Sequence, residues 1–285
     1  RFNIDYLCGE SIASLYRVAT VPAQHLFGLE SSVLCALHGG DVLVDSHPFY
    51  PQDIAAALTA IPAPRVLVST PLHLRALLRS NVPLPPLHFI VSATAPLEPA
   101  LAQRLEQYSQ APVYEIYGCT ETGAIASRRP THDDRWQCYQ DIHLQAQNTE
   151  NAEENVTKGR MYDVISSHLS EPTALADLLT GLTHHATGSY FTWCGRGQDL
   201  LNVAGKRASL TDLTQTLLSL PGVEDAVVFM PQDSAGNPAA RPAALVVAPQ
   251  GDATQLRTQL AQRFDAVFIP RPLKLVDALP RNANG

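Results

Sequence analysis

Over the first 130 positions, apolar residues follow two alternating rhythms. Short apolar runs occupy 17–21, 41–45, 65–69, 87–91 and 113–116. Between them lie longer stretches in which apolar side chains return every three or four positions. The short runs predict strands and the longer stretches helices. The predicted helices span 28–38, 51–61, 71–78 and 97–108; Ile54, Ala57, Leu58 and Ile61 share one face of the second. Pro71 suits a first helical turn, and Gly39-Gly40 suits a helix end. Repeated βα units imply a mainly parallel sheet with both faces covered. Right-handed crossovers bring the carboxyl ends of such strands to one edge, where open α/β sheets bind ligands. That edge collects His25, Ser69-Thr70, residues 92–96 and residues 117–121.

The helical period fades after Pro130. Residues 141–147 and 160–165 alternate like strands around a polar loop at 148–158, and 189–194 reads as another strand. This predicts a small antiparallel or barrel-like β subdomain, with the polar run 148–154 as a solvated hairpin tip. A new unit opens at Gly197. Ser209 or Thr211 caps a helix running to about Leu218, and Pro221-Gly222 turns the chain. Strands at 223–230, 243–247 and 273–276 and a helix at 253–264 complete a small α+β unit.

Composition narrows the function. The hydrophobic content of 45% over 285 residues supports a sizeable core. A formal net charge of −7 and a pI near 5.8 leave no basic stripe for nucleic acid. No apolar run approaches the roughly 18 residues of a membrane span. Cys8, Cys35, Cys119, Cys138 and Cys194 are odd in number, scattered and without ligand spacing. That is reduced, cytoplasmic usage.

The chemistry concentrates at 115–123, where an apolar run passes through Tyr117 to Gly118, Cys119, Thr120, Glu121, Thr122 and Gly123. Thr120 can hydrogen-bond a phosphate oxygen, and Glu121 is a hard oxygen ligand suited to Mg²⁺. Gly118 is read as letting the backbone approach a ligand, and Gly123 as relaxing the following turn.

Tyr117-Gly118-Cys119-Thr120-Glu121 resembles the signature of the acyl- and aryl-adenylating enzymes: acyl-CoA synthetases, peptide-synthetase adenylation domains and luciferases. Residues 195–207, Gly-Arg-Gly-Gln-Asp-Leu-Leu-Asn-Val-Ala-Gly-Lys-Arg, resemble that family's domain junction. Residues 279–285 resemble its C-terminal motif. The resemblance implies an α/β fold: a mainly parallel βα-unit sheet with a small β subdomain, followed by a small α+β C-terminal lid. The expected divisions are a partial large adenylation domain at 1–196 and a lid domain at 197–285. Within the former, a βα subdomain spans 1–134 and a β-rich subdomain 135–196. The resemblance also implies ATP and Mg²⁺, a carboxylic acid substrate, and coenzyme A or an acyl carrier protein as thiol acceptor.

Site residues follow by motif. Thr120 and Glu121 become catalytic, with Glu121 on the metal, and Tyr117, Gly118 and Cys119 line the nucleotide. Residues 93–97 resemble the family's Gly-Gly-Ala-Pro-Leu loop against adenine, which brings in Thr94, Ala95 and Pro96; Ala93 and Thr94 replace the glycines and narrow the slot. His25, within 22–28, matches a histidine beside the substrate carboxylate. Arg196 is expected on the ribose hydroxyls, Arg207 on the nucleotide phosphate, Gln198 at the hinge and Gly205 at the thiol tunnel. The family's Thr-Gly-Asp ribose segment has no clean match. Asp177 is the choice, upstream of an expected loop at 180–187, with Asp199 as the alternative.

The family's phosphate loop would precede Arg17 and its catalytic lysine would follow Gly285, so the chain is expected to be a piece of a longer polypeptide. Residues 202–210 and 116–121 resemble the AMP-ligases of aryl polyene and xanthomonadin-type pigment clusters, which implies an aromatic acid. Two alternatives stand beside the ligase: a catalytically silent nucleotide- or acyl-binding homologue, and an adenylating enzyme with a further redox domain.

Overall fold

The computed structural model describes residues 14–147, 159–186, 188–196, 200–203, 206–231 and 241–280. Contacts divide the chain into two compact units. One comprises the residues up to Leu175 with Leu179–Trp193; the other comprises Ala176–Leu178 and the residues from Cys194 onward.

In the first unit, β1 (Tyr16–Ala19), β2 (Val42–Leu43), β3 (Arg65–Ser69), β4 (Phe89–Ser92) and β5 (Val113–Cys119) run parallel in the spatial order β5-β4-β3-β1-β2. Helices connect them. The first, α1, is continuous through Leu26–Gly28, the π-wound Leu29–Leu34 and Cys35–Gly39. Then come α2 (Pro51–Thr59), α3 (Pro71–Ser80) and α4 (Pro99–Ser109). The central strands are apolar at successive positions because each face meets a different core. Val18, Leu67 and Ile90 pack with Ile54, Leu58, Leu74 and Leu105 of the helices. Val66, Val68, Phe89 and Val91 face the other way, with Phe27 of α1. Burial on both faces is what removes polar alternation from a parallel strand. Arg17 interrupts this pattern, buried at 1% exposure. It pairs with Asp41 at 2.6 Å and donates to the Ser31 carbonyl at 3.0 Å, as a buried charge must.

The chain then departs from the βα alternation expected of it. β5 turns directly into the antiparallel β6 (Gly123–Arg128), followed by β7 (Trp136–Cys138). The β-rich segment is shared between two sheets. β8 (His143–Ala146), β9 (Tyr162–Ile165) and β10 (Thr173–Ala174) form a separate antiparallel sheet. β11 (Asp177–His185) and β12 (Gly188–Arg196) join the large sheet, whose nine strands run β11-β12-β7-β6-β5-β4-β3-β1-β2. The loop expected at 180–187 is therefore mostly strand. Its Thr, His and Gly residues hide the pattern, since only Leu179 of β11 is buried. The tip at 148–154 lies outside the described residues.

The second unit contains the hairpin β13 (Leu200–Val203) and β14 (Lys206–Ser209), then α5 (Leu210–Ser219), β15 (Asp225–Phe229), β16 (Ala243–Val247), α6 (Ala253–Ala261) and β17 (Leu273–Leu275). β15 is antiparallel and β17 parallel to β16. Leu213 and Leu217 of α5 and Leu256 and Leu260 of α6 share a core with Val246 and Phe268. Of the two caps weighed, Ser209 is the one used, accepting from Asp212 N at 3.3 Å. Among the described residues no helix is long and apolar enough to cross a membrane.

Candidate active site

Thr120 and Glu121 occupy the turn between β5 and β6, not a strand-to-helix loop. The Thr122 N–H closes the turn on the Cys119 carbonyl at 3.3 Å. Thr120 and Glu121 are exposed, whereas Thr122 is buried. The register shifts between Tyr117 and Gly118, so the hairpin carries a bulge at the motif. A Cβ on Gly118 would lie 2.2 Å from the Gly123 carbonyl oxygen. The glycine is thus required by the partner strand, a nearer cause than the ligand approach expected from the sequence. Gly123 itself has φ +69°, a conformation that costs glycine little. The Cys119 Sγ lies 3.1 Å from Thr122 Oγ1, and burial, with a hydrogen bond to Glu121, pushes the thiol's pKa up. Tyr117 packs its ring against Trp136 and Phe191, at centroid distances of 5.3 and 5.7 Å.

The loop at 93–97 follows β4, the parallel neighbour of β5, which places it at the same sheet edge. Thr94 and Ala95 are exposed and Pro96 half-buried. Thr94 has φ +77°, a strained state for a β-branched residue. The Leu97 N–H donates to Glu115 Oε1 at 2.7 Å, and Arg128 Nε donates to Glu115 Oε2 at 2.7 Å. Arg128 lies over the Trp136 ring, 4.5 Å from its centroid. Burial pushes the Glu115 carboxyl up, against the Arg128 charge and the Leu97 N–H. The sequence reading assigned Glu115 no role. The signal was available: a carboxylate inside an apolar strand needs a cationic partner.

His25 is the N-cap of α1, its Nδ1 accepting from the Phe27 N–H at 3.3 Å. That bond puts the proton of the neutral ring on Nε2. Beside this segment, a cavity of about 330 Å³ opens among Ala23, Ser32, Ser46 and His47, at the carboxyl ends of β1 and β2. The Thr20 and Ser69 hydroxyls, 2.9 Å apart, join β1 to β3 at the same edge.

The structure thus gathers His25, Thr94, Ala95, Pro96 and residues 117–121 along one edge of the first unit. Asp177 opens β11, Arg196 ends β12, and Arg207 pairs with Asn202 across the β13–β14 hairpin; all three belong to the second unit. Gln198, Asp199 and Gly205 lie outside the described residues.

Several curated relatives align along nearly the whole chain. The probable CoA ligase CCL9 of Humulus lupulus is 24% identical over 97% of the chain and 59% of its own length. The 3,4-dihydroxybenzoate–[aryl-carrier protein] ligase of Bacillus anthracis is 22% identical over 94% of the chain and 61% of its own length. The chain therefore spans about three fifths of these relatives. Among solved structures, the anthranilate CoA ligase AuaEII in complex with anthranoyl-AMP shares the fold with a TM-score of 0.75 at 20% identity, over 97% of the chain and 57% of that protein. An O-succinylbenzoate coenzyme A synthetase of Bacillus subtilis, in complex with ATP and a magnesium ion, has a TM-score of 0.75 at 18% identity, over 99% of the chain and 62% of that protein. The family model described as AMP-binding enzyme matches residues 9–152, and that of the AMP-binding enzyme C-terminal domain matches 213–285. The chain belongs to the AMP-binding enzyme family.

Proposed function

We propose that the protein is an ATP-dependent acid–thiol ligase. An oxygen of the substrate carboxylate attacks the α-phosphorus of ATP, and the bond to pyrophosphate breaks. A phosphopantetheine sulfur, on coenzyme A or an acyl carrier protein, then attacks the acyl carbon and AMP leaves. The observation that carries this reading is the pairing of two loops at one sheet edge. Glu115 of β5, the strand that bears the exposed Thr120–Glu121 turn, holds the 93–97 loop through the Leu97 N–H, within the family-matched segment.

Thr120 offers a hydroxyl to a phosphate oxygen. Glu121 would hold Mg²⁺, which when bound neutralises charge building on the phosphates. The donor set fits that ion: Mg²⁺ usually takes one or two carboxylates with substrate phosphates and water. Among the described residues no cluster of three His, Cys, Asp or Glu side chains forms a protein-only metal cage. His25 presents an Nε2–H suited to a carboxylate oxygen. Thr94, Ala95 and Pro96 would lie against adenine, with Tyr117, Gly118 and Cys119 along the nucleotide. Asp177 and Arg196 are assigned to the ribose, Arg207 to the phosphate, Gln198 to a hinge and Gly205 to the thiol path. In this reading residues 1–196 belong to the adenylation domain and 197–285 form its lid, and the enzyme works in the cytoplasm.

An aromatic acid is the substrate class we favour, as for the AMP-ligases of aryl polyene-type pigment clusters. Relatives named for 3,4-dihydroxybenzoate and anthranilate support it. The test is acid-dependent ATP–pyrophosphate exchange by the full-length protein against a panel of hydroxybenzoates, hydroxycinnamates and aliphatic acids. Thioester formation on coenzyme A and on a carrier protein follows. Exchange with hydroxylated aromatic acids is expected. No exchange with any acid, alongside retained binding of an adenylate, would favour the silent nucleotide-binding homologue.

A further inference from the structure

The turn that presents Thr120 and Glu121 is gripped from behind by side chains of two other elements. His168, just after β9, directs Nε2 at the Thr122 carbonyl oxygen, 2.9 Å away. Glu30 of α1 accepts the Ala124 N–H. Its Oε1 lies 2.7 Å from where a Cβ on Gly123 would stand. Burial pushes the Glu30 carboxyl up, against that N–H and the nearby His168.

The hydrogen inventory orients the histidine. A carbonyl only accepts, so Nε2 carries a proton. Nδ1 lies 2.6 Å from Ser166 Oγ, and that hydroxyl lies 2.6 Å from Asp141 Oδ2. Asp141 also receives the Ser167 N–H at 2.9 Å and the Ser167 hydroxyl at 2.6 Å. A chain of polar contacts therefore runs from Asp141, before β8, through Ser166 and His168 to the Thr122 carbonyl. Which nitrogen of a histidine meets its target is set by the partner on the other nitrogen. His168 is itself exposed, so packing contributes little to holding its ring and the Ser166 contact supplies the orientation. Thr122 is only 1% exposed and lies directly beside the two exposed motif residues. Fixing its carbonyl fixes the direction in which Thr120 and Glu121 project.

We infer that His168, oriented by Ser166 and Asp141, is a positioning residue for Thr120 and Glu121, with Glu30 bracing the turn beside it at Gly123 and Ala124. The catalytic side of this inference rests on the ligase reading above. Its structural side does not.

The experiment compares the full-length parent with His168→Ala and His168→Gln. The glutamine amide can still donate to the Thr122 carbonyl. Amide hydrogen exchange in 118–124 should quicken about fivefold or more in His168→Ala, as expected for loss of one hydrogen bond, and return toward the parent in His168→Gln. In pyrophosphate exchange, kcat should fall in His168→Ala and recover in part at raised Mg²⁺, and His168→Gln should restore it. A residue serving stability alone would lower the thermal midpoint and leave kcat per folded molecule intact, which would overturn the inference. Unchanged amide exchange in His168→Ala would also overturn it. A parent with no pyrophosphate exchange for any acid would remove the ligase reading, while the amide-exchange arm still decides whether His168 holds the turn.

Discussion

The Leu97 N–H and Glu115 Oε1 meet at 2.7 Å, so a single buried carboxylate anchors the 93–97 loop to the strand that bears the Thr120–Glu121 turn. Its other oxygen holds Arg128 of β6. Removing one partner of a buried ion pair leaves an uncompensated charge and costs about 3–5 kcal/mol. Glu115→Ala should lower the unfolding free energy measured in urea by that order and speed amide exchange at Leu97. An unfolding free energy within about 0.5 kcal/mol of the parent, the scatter of ordinary surface changes, would show that the pair adds nothing.

Thr94 holds its backbone at φ +77°, a conformation that suits glycine better than a β-branched residue. A non-glycine residue held there stores roughly 1–3 kcal/mol. Glycine relieves that strain but adds freedom to the unfolded chain, worth about 0.5–1 kcal/mol. The balance predicts that Thr94→Gly stabilises the protein by about 1 kcal/mol, read from its urea midpoint. A loss of stability would mean that contacts of the Thr94 side chain outweigh the strain.

Glu106 of α4 makes the fold sensitive to acid. Its carboxylate accepts from Arg129 Nε and Nη2, at 2.8 and 3.1 Å, and from Val113 N at 3.0 Å, and Thr131 Oγ1 adds further bonds at 3.1 Å. Burial raises its pKa, but these hydrogen bonds outweigh burial and hold the carboxyl below its ordinary value. A folded pKa below the unfolded one gives stability that is present above the unfolded pKa and lost as pH falls through the folded one. Glu106→Gln should therefore cost about 1.5–3 kcal/mol near pH 7, the range for hydrogen bonds to charged groups. The gap from the parent should close as both are titrated toward pH 3. A gap independent of pH would assign the loss to packing.

The parallel half of the sheet was legible because burial on two faces writes itself as unbroken apolar runs, such as Val66-Leu67-Val68 in β3. The second unit was legible through its caps and turns, Ser209 and Gly222 among them. β6 and β11 were not. β6 follows its partner too closely for a βα unit, and a reading built on alternation passes over a hairpin there. β11 is an outer strand of its sheet with a largely exposed face, so no apolar rhythm marks it. Of the site, the motif residues and their shared edge were visible. Glu115, Glu30 and His168 were not assigned because their roles depend on partners 13 or more positions away, which spacing alone does not reveal.

Glu121 and Gly118 stand three residues apart, and the structure separates their tasks. Glu121 is exposed at the turn, so Glu121→Gln keeps its shape and leaves the hairpin in place. A Cβ on Gly118 would sit 2.2 Å from the Gly123 carbonyl oxygen and 2.8 Å from Ala124 Cα, so Gly118→Ala forces the bulge to open. Overpacking of this kind costs about 1–3 kcal/mol. If Glu121 holds the metal on ATP, its loss should lower acid-dependent pyrophosphate exchange about a hundredfold, the scale of losing one fixed electrostatic group at a reacting centre. The unfolding free energy of Glu121→Gln, measured in urea, should stay within about 0.5 kcal/mol of the parent. Gly118→Ala should lower midpoint and exchange together. Raising Mg²⁺ should recover some of the Glu121→Gln activity and none of the Gly118→Ala activity, because only the first loss is one of metal affinity. Equal exchange in Glu121→Gln and the parent would remove Glu121 from the metal site.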